Sequence, residues 1–294
     1  MKIFITGSHG LVGKAIMPTL IASGHDVEPI VRGNDSGITW NPPTEGPDPK
    51  LLQGCDAVIH LAGENIGARR WSTVQKQRLR ESRVDATQVL CRSLAAMGKP
   101  PRVLIAASAI GIYGSRKDKV LTEKSSPGSD YLALLGCDWE AATDAVSDSG
   151  IRVVHLRLGL VLSTDGGALA KMVTPFKLCL GGRVGSGQQW WSWVMLEDVV
   201  RTIQFVLENE SVEGPVNVVA GTVTNRDFTA SLAGALGRPA WFPLPAFAAR
   251  VLLGEMADAL LLSSTRVESR KLATYGFEFK HRELEPALRH LLAD

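Results

Sequence analysis

The chain has 294 residues, 45% hydrophobic and 21% charged, the make-up of an ordinary folded protein with a large core, which excludes a disordered or low-complexity polymer. Its 32 basic and 30 acidic residues are interspersed and leave a formal charge of +2, so no basic face is specified for nucleic acid or an anionic membrane surface. Chemistry on a small-molecule substrate is the class that remains.

Taken in chain order, Lys2 to Thr6 supplies the β-branched and aromatic residues of a short buried strand, and Leu11 to Ser23 carries apolar residues at helical spacing. Gly7, Gly10 and Gly13 punctuate the turn between them. Gly7 permits the tight turn, Gly10 leaves room for a pyrophosphate against the backbone, and Gly13 lets the helix pack closely on the sheet. The backbone of Gly7, Ser8, His9, Gly10, Leu11 and Val12 is therefore the expected anion cradle, because N–H groups at a helix start attract negative charge. Glycines at this spacing also mark ordinary turns, and it is the position between strand and helix that selects the dinucleotide reading. His9 either adds a donor to the phosphates or faces solvent.

Asp26 to Val31 reads as a second strand, followed by Arg32-Gly. A dinucleotide fold selecting NAD places Asp or Glu at that strand end, whereas NADP selection uses a cation for the 2′-phosphate. Glu28 lies inside the strand and Arg32 just past it, where a planar guanidinium suits a phosphate, so the reading favours NADP. Further strands are expected at Asp56–His60, Arg102–Ala107 and Ile151–Leu156. Helices are expected over Ser72–Met97, with Val84, Val89, Leu90 and Leu94 facing the core, and over Asp130–Ser147. This alternation implies right-handed crossovers and a doubly wound parallel α/β sheet.

Beyond about residue 163 glycine pairs and the stretch Pro239 to Pro245 separate short elements, which reads as a smaller C-terminal substrate lobe. Pro215 to Val219 reads as a strand returning to the main sheet. The expected division is a dinucleotide-binding domain over 1–162 with a returning segment about 190–222, and a lobe made of 163–189 and 223–294.

Cys55, Cys91, Cys137 and Cys179 include no CxxC pair, which argues against a zinc knuckle or a redox dithiol, and no metal ligand set is expected. Buried free thiols fit a reducing, cytoplasmic compartment, or an organelle matrix after removal of an upstream peptide. The apolar run before Gly7 is too short for a signal-peptide core. Phe247 to Leu262 is interrupted by Arg250, Glu255 and Asp258 and cannot span a bilayer. Homo-oligomerisation is open and nothing indicates it.

TGSHGLVG near the start, HLAGENIGARRW at 60–71, SAIGIYG at 108–114, CDWEAA at 137–142 and GSGQQWWSWVMLED at 185–198 together resemble the extended and atypical short-chain dehydrogenase/reductase superfamily. More narrowly they resemble its epimerase-like subfamily, often labelled sugar-nucleotide epimerases, whose vertebrate members are called family 39U-like. The likeness runs over nearly the whole chain, including Gly221 to Leu292. It implies a Rossmann-like fold and a backbone path at Leu61-Ala62-Gly63 over adenine and ribose, with Glu64, Arg83 and Val161 near the cofactor. Arg83, next to a serine and close to an aspartate, could equally be paired on the surface.

The chain departs from that superfamily at the catalytic helix. The superfamily pairs Tyr and Lys one turn apart, the lysine lowering the phenol pKa so that it exchanges protons while hydride moves at nicotinamide. The corresponding region here reads Cys137-Asp-Trp-Glu-Ala141 and has neither. Tyr113 and Lys117 have the numerical spacing but sit in a glycine-serine loop after a strand, and Tyr131 has Leu135 one turn on. Ser108 resembles the substrate-polarising serine of the superfamily, so Ser108 and Tyr113 are the catalytic candidates. Trp191 and Trp193 share a face of any strand there, for core packing or for the mouth of a cleft. Two functions follow. One is an NADP(H)-dependent epimerase-like oxidoreductase acting on a small carbonyl or sugar-like compound. The other is an NADP(H)-binding regulatory or sensor protein with little chemistry of its own.

Overall fold

The computed structural model describes residues 1–33 and 37–293. Its strands are β1 (Lys2–Thr6), β2 (Asp26–Arg32), β3 (Ile38–Trp40), β4 (Ala57–His60), β5 (Val103–Ala109), β6 (Val120–Leu121), β7 (Arg152–Leu158), β8 (Leu160–Leu162), β9 (Trp190–Met195), β10 (Gly214–Val218), β11 (Gly221–Thr224) and β12 (Arg266–Val267). Its α-helices are α1 (Leu11–Ala22), α2 (Thr73–Arg80), α3 (Ala86–Ala95), α4 (Tyr131–Ala141), α5 (Gly167–Lys177), α6 (Leu196–Glu208), α7 (Asn225–Leu236), α8 (Ala246–Leu253), α9 (Arg270–Thr274) and α10 (Leu284–Leu292).

Seven strands form one parallel sheet in the order β10-β7-β5-β4-β1-β2-β3, and flanking helices complete the Rossmann-like α/β architecture. The strands at its centre are apolar without alternation, as a sheet covered on both faces requires. Ile3, Phe4 and Ile5 of β1 and Val58 and Ile59 of β4 are fully buried. Phe4, Val58 and Leu104 pack with Leu90, Cys91 and Leu94 of α3 in one core cluster.

The chain divides into two compact units, each built from separated segments. The first comprises Met1–Ala109, Leu134–Arg157 and Val200–Val216, and the second Ile110–Ala133, Leu158–Val199 and Asn217–Asp294. Of the stretch 190–222, Gly214–Val218 belongs to the seven-stranded sheet, while β9 lies between β11 and β8 in a three-stranded sheet of its own. Trp191 and Trp193 project into the core of the second unit with Phe228, Leu232, Leu284 and Leu288, so packing is their use. No helix among the described residues is long and apolar enough to cross a membrane.

Two expected helices differ in detail. The run from Ser72 to Met97 is α2 and α3 joined by one wide turn over Glu81–Asp85. There the Ser82 hydroxyl donates to the Leu79 carbonyl and accepts from the Glu64 N–H, a contact outside the helix. Asp130–Ser147 is α4 followed by a 3₁₀ segment from Asp144, and the Thr143 hydroxyl bonds back to the Glu140 carbonyl where the α-helix stops.

Candidate nucleotide cradle

The glycine turn follows β1 directly. Gly7 has φ of 73°, and a Cβ there would lie 2.6 Å from the Leu61 carbonyl carbon, so both conformation and space demand glycine. A Cβ on Gly13 would lie 2.3 Å from the Gly7 carbonyl oxygen and 2.8 Å from Ser8 Cα, so this glycine seats α1 against the turn itself. At Gly10 the nearest atom to such a Cβ is the Gly7 carbonyl oxygen at 3.1 Å, which leaves one side of the turn open. Gly10 caps α1 without a side-chain hydrogen bond, and the first turn carries no acidic residue. The leading N–H groups, those of Leu11 and Val12 among them, thus keep their partial positive charge available.

An open cavity of about 640 Å³ begins at this turn. It lies where β1, β2 and β4 end, at the point where the strand order reverses, which is where open α/β sheets hold ligands. Gly7, Ser8, His9, Gly10, Arg32, Leu61, Ala62, Gly63 and Glu64 all line it, so most of the expected cofactor residues converge on one cavity. Leu11 and Val12 are half-buried in α1 outside the lining. Arg83 stands behind the loop, its guanidinium donating to the Glu64 carbonyl at 2.9 Å and lying 5.1 Å from the Trp139 ring. It holds the Leu61–Glu64 path in place. Val161 is in β8, opposite Val194 of β9, in the second unit.

The lining also includes residues that the sequence reading missed: Trp40, Pro42, Pro43, Arg78, Glu81 and Ser82. Arg78 and Ser82 lie four apart and Glu81 between them, a spacing that puts them on one helical side and was the available signal. Trp40 gave none, because β3 is only three residues long. Arg32 and Arg78 are the two cations of the lining, and neither is held in an ion pair among the described residues. A site with orphan helix N–H groups and the guanidinium groups of Arg32 and Arg78 fits a molecule bearing several phosphates.

One residue before Leu61, His60 is fully buried at the end of β4, its Nδ1 2.6 Å from Thr6 Oγ1 and its Nε2 2.9 Å from Thr87 Oγ1. Burial pulls its pKa down to about 4, so it is neutral near pH 7.

The catalytic candidates lie in different units. Ser108, at the C-terminal end of β5, is buried and donates to Glu140 Oε1 at 2.7 Å. Glu140 in turn accepts from Arg157 Nε at 2.8 Å and Nη2 at 2.7 Å, a bidentate pair with side chains 13% and 8% exposed. Burial alone would raise the Glu140 carboxyl, but the Arg157 guanidinium, His155 and the Ser108 hydroxyl together hold it below its ordinary value. It is a charge anchor and no proton donor at neutral pH.

Two further side chains of the CDWEAA motif have partners. Asp138 is paired with Arg80, and Trp139 Nε1 donates to Thr87 Oγ1 at 3.2 Å. In the second unit Tyr113 is fully buried and its phenol donates to Asn217 Oδ1 at 2.7 Å. Lys117 lies in a turn with φ of 55°, so it does not stack one helical turn from Tyr113. All four cysteines are free, Cys55 and Cys91 buried, with thiols pushed up to about 12 by that burial. Cys137 and Cys179 are only partly buried.

Strand order, switch point and glycine turn together define a Rossmann-like α/β protein. Residues 3–221 match the model of the NAD dependent epimerase/dehydratase family, and the chain belongs to that family. Residues 244–291 match a second model described as a domain of unknown function, DUF1731. The chain is 44% identical over 288 residues to the epimerase family protein Mb2239 of Mycobacterium bovis, covering 97% of this chain and 95% of that one. It is 36% identical to the mouse epimerase family protein SDR39U1, with both chains covered completely. The crystal structure of human SDR39U1 isoform 2 with NADPH superposes with a TM-score of 0.90 at 31% identity, again over the full length of both.

Proposed function

We propose that the chain binds NADP(H) in this cavity and acts as an epimerase-like oxidoreductase on a small carbonyl or sugar-like substrate. The observation that carries the reading is the convergence of the glycine turn with Arg32 and Arg78 on one cavity, in a chain similar end to end to a protein crystallised with NADPH. The α1 N-terminus would hold the pyrophosphate and Arg32 the 2′-phosphate, while Leu61–Gly63 and Trp40 shape the adenosine side. NADP(H), when bound, supplies or accepts a hydride. Ser108, at the carboxyl end of β5, would accept a hydrogen bond from a substrate hydroxyl, since its own proton is donated to Glu140.

Calorimetric titration tests this directly. NADPH should bind more tightly than NADH, and Arg32→Ala should weaken NADPH by roughly 10- to 100-fold, the worth of a charge-assisted hydrogen bond, while leaving NADH unchanged. No association with NADPH, or no preference that depends on Arg32, would sink the reading.

The sensor alternative is favoured by one specific feature. The helix that should carry a Tyr and Lys carries Glu140, ionised and paired, and the Tyr113 phenol is enclosed on Asn217. Under that alternative NADPH binds but neither oxidation of NADPH nor isotope exchange into carbonyl compounds rises above background.

A further inference from the structure

We propose that Glu197, His281 and His290 form a binding site for one transition-metal ion, Zn(II) being the ion it suits. One carboxylate oxygen and one ring nitrogen from each histidine lie within 4.8 Å of one another, all in the second unit. Glu197 Oε2 is 3.0 Å from His281 Nε2, and the two imidazoles stack with centroids 5.3 Å apart at 24°. No sequence spacing announces this group, since Glu197 and His281 are 84 residues apart and the fold alone joins them.

The ligands are carried on backbone that is fixed without a metal. Asp198, next to Glu197 and wholly buried, accepts from the N–H groups of Lys280 at 2.8 Å and His281 at 3.1 Å. The start of α6 is thereby tied to the segment that presents His281. His290 is held by α10, whose Leu284, Ala287 and Leu288 are buried in the core of this unit. Glu197 and His281 already face each other, and the exposed His290 ring is the group that has to turn toward them.

Donor chemistry selects the ion. Two neutral imidazoles and a carboxylate are a known zinc donor combination, and imidazole nitrogen disfavours Mg²⁺ and Ca²⁺, which take oxygen. Metal–ligand distances of about 2.0–2.2 Å require the donor atoms to approach to about 3–3.5 Å, a spacing Glu197 and His281 already have. His290 must move by roughly an ångström more, which its exposure permits. The fourth position would be left to water.

One group opposes the ion. The Lys280 ammonium lies 2.6 Å from Glu197 Oε1, so it neutralises the carboxylate and competes with a cation. Lys280 therefore tunes the affinity downward, and its removal should tighten binding, an outcome that no ordinary surface ion pair predicts.

The test uses untagged full-length protein freed of metal by chelation and then of chelator. Zn(II) titrated by calorimetry should bind at one equivalent, Mg²⁺ should not bind there, and Co(II) in its place should give the visible absorption of a nitrogen-and-oxygen tetrahedral site. His290→Ala should weaken Zn(II) by at least about tenfold, in line with the sensitivity of metal sites to their immediate partners, and Lys280→Met should strengthen it. Zn(II) should also raise the thermal midpoint of the wild type, and at the same concentration raise that of His290→Ala less. Absence of saturable binding overturns the proposal. So does equal affinity in the wild type and His290→Ala, or weaker binding in Lys280→Met.

Discussion

His60 closes β4 with its ring between two threonine hydroxyls, and its burial favours the neutral form. Its folded pKa, about 4, lies below the ordinary value of 6.5. Between those values the unfolded chain binds a proton that the native state refuses, so stability is fully present above about pH 6.5, falls as the pH is lowered toward 4, and levels off below. The size is roughly 3 kcal/mol, from about 1.4 kcal/mol per pKa unit. Urea unfolding at pH 7 and pH 4.5 should therefore show a loss that His60→Gln largely removes. An equal loss in that variant would place the acid-sensitive group elsewhere. At this scale the sequence is legible where a residue type has one physical use. Gly7 is readable because its positive φ admits little else, and the place of Arg32 beside the cavity because it stands at the end of the second strand. Arg78 and Trp40 are not, because their place in the cavity depends on how a wide turn and a three-residue strand are set in space.

At the scale of elements, α4 is the informative case. Its sequence announces what it lacks, since a missing Tyr and Lys can be read from one helical stretch. What it does instead depends on β7, 17 residues further on, where Arg157 meets Glu140. A buried ion pair of this kind contributes little over an apolar replacement, yet breaking it leaves a buried charge alone and costs on the order of 3–5 kcal/mol. Arg157→Met should therefore destabilise the protein by about that amount in chemical denaturation, and adding Glu140→Gln should recover most of it. A loss below about 1 kcal/mol in the single variant would mean that the Ser108 hydroxyl and His155 hold the carboxylate without Arg157. The same logic accounts for the wide turn between α2 and α3. Helical periodicity predicts the helix, while the register change at Ser82 answers to a bond with the Glu64 N–H that no local pattern encodes.

For the whole molecule, alternation of strands and helices is enough to specify a parallel sheet. The distribution of segments between the two units is not so specified, because it depends on non-local pairings such as β9 with β11 and β8. Those pairings carry a consequence for truncation. The family match to residues 3–221 invites a chain ending there, but the second core is completed by Phe228, Leu232, Leu284 and Leu288 packed around Trp191, Trp193 and Leu162. Burying each of those four side chains is worth about 1.5–3 kcal/mol, together roughly 6–12 kcal/mol, which is comparable to the whole stability of a typical protein. A chain cut after Gly221 should accordingly lose the near-ultraviolet circular dichroism of its packed tryptophans and elute as aggregate on gel filtration. A soluble monomer with a cooperative melt within a few degrees of the full chain would show that α7 and α10 merely cover a core that β8 and β9 build alone.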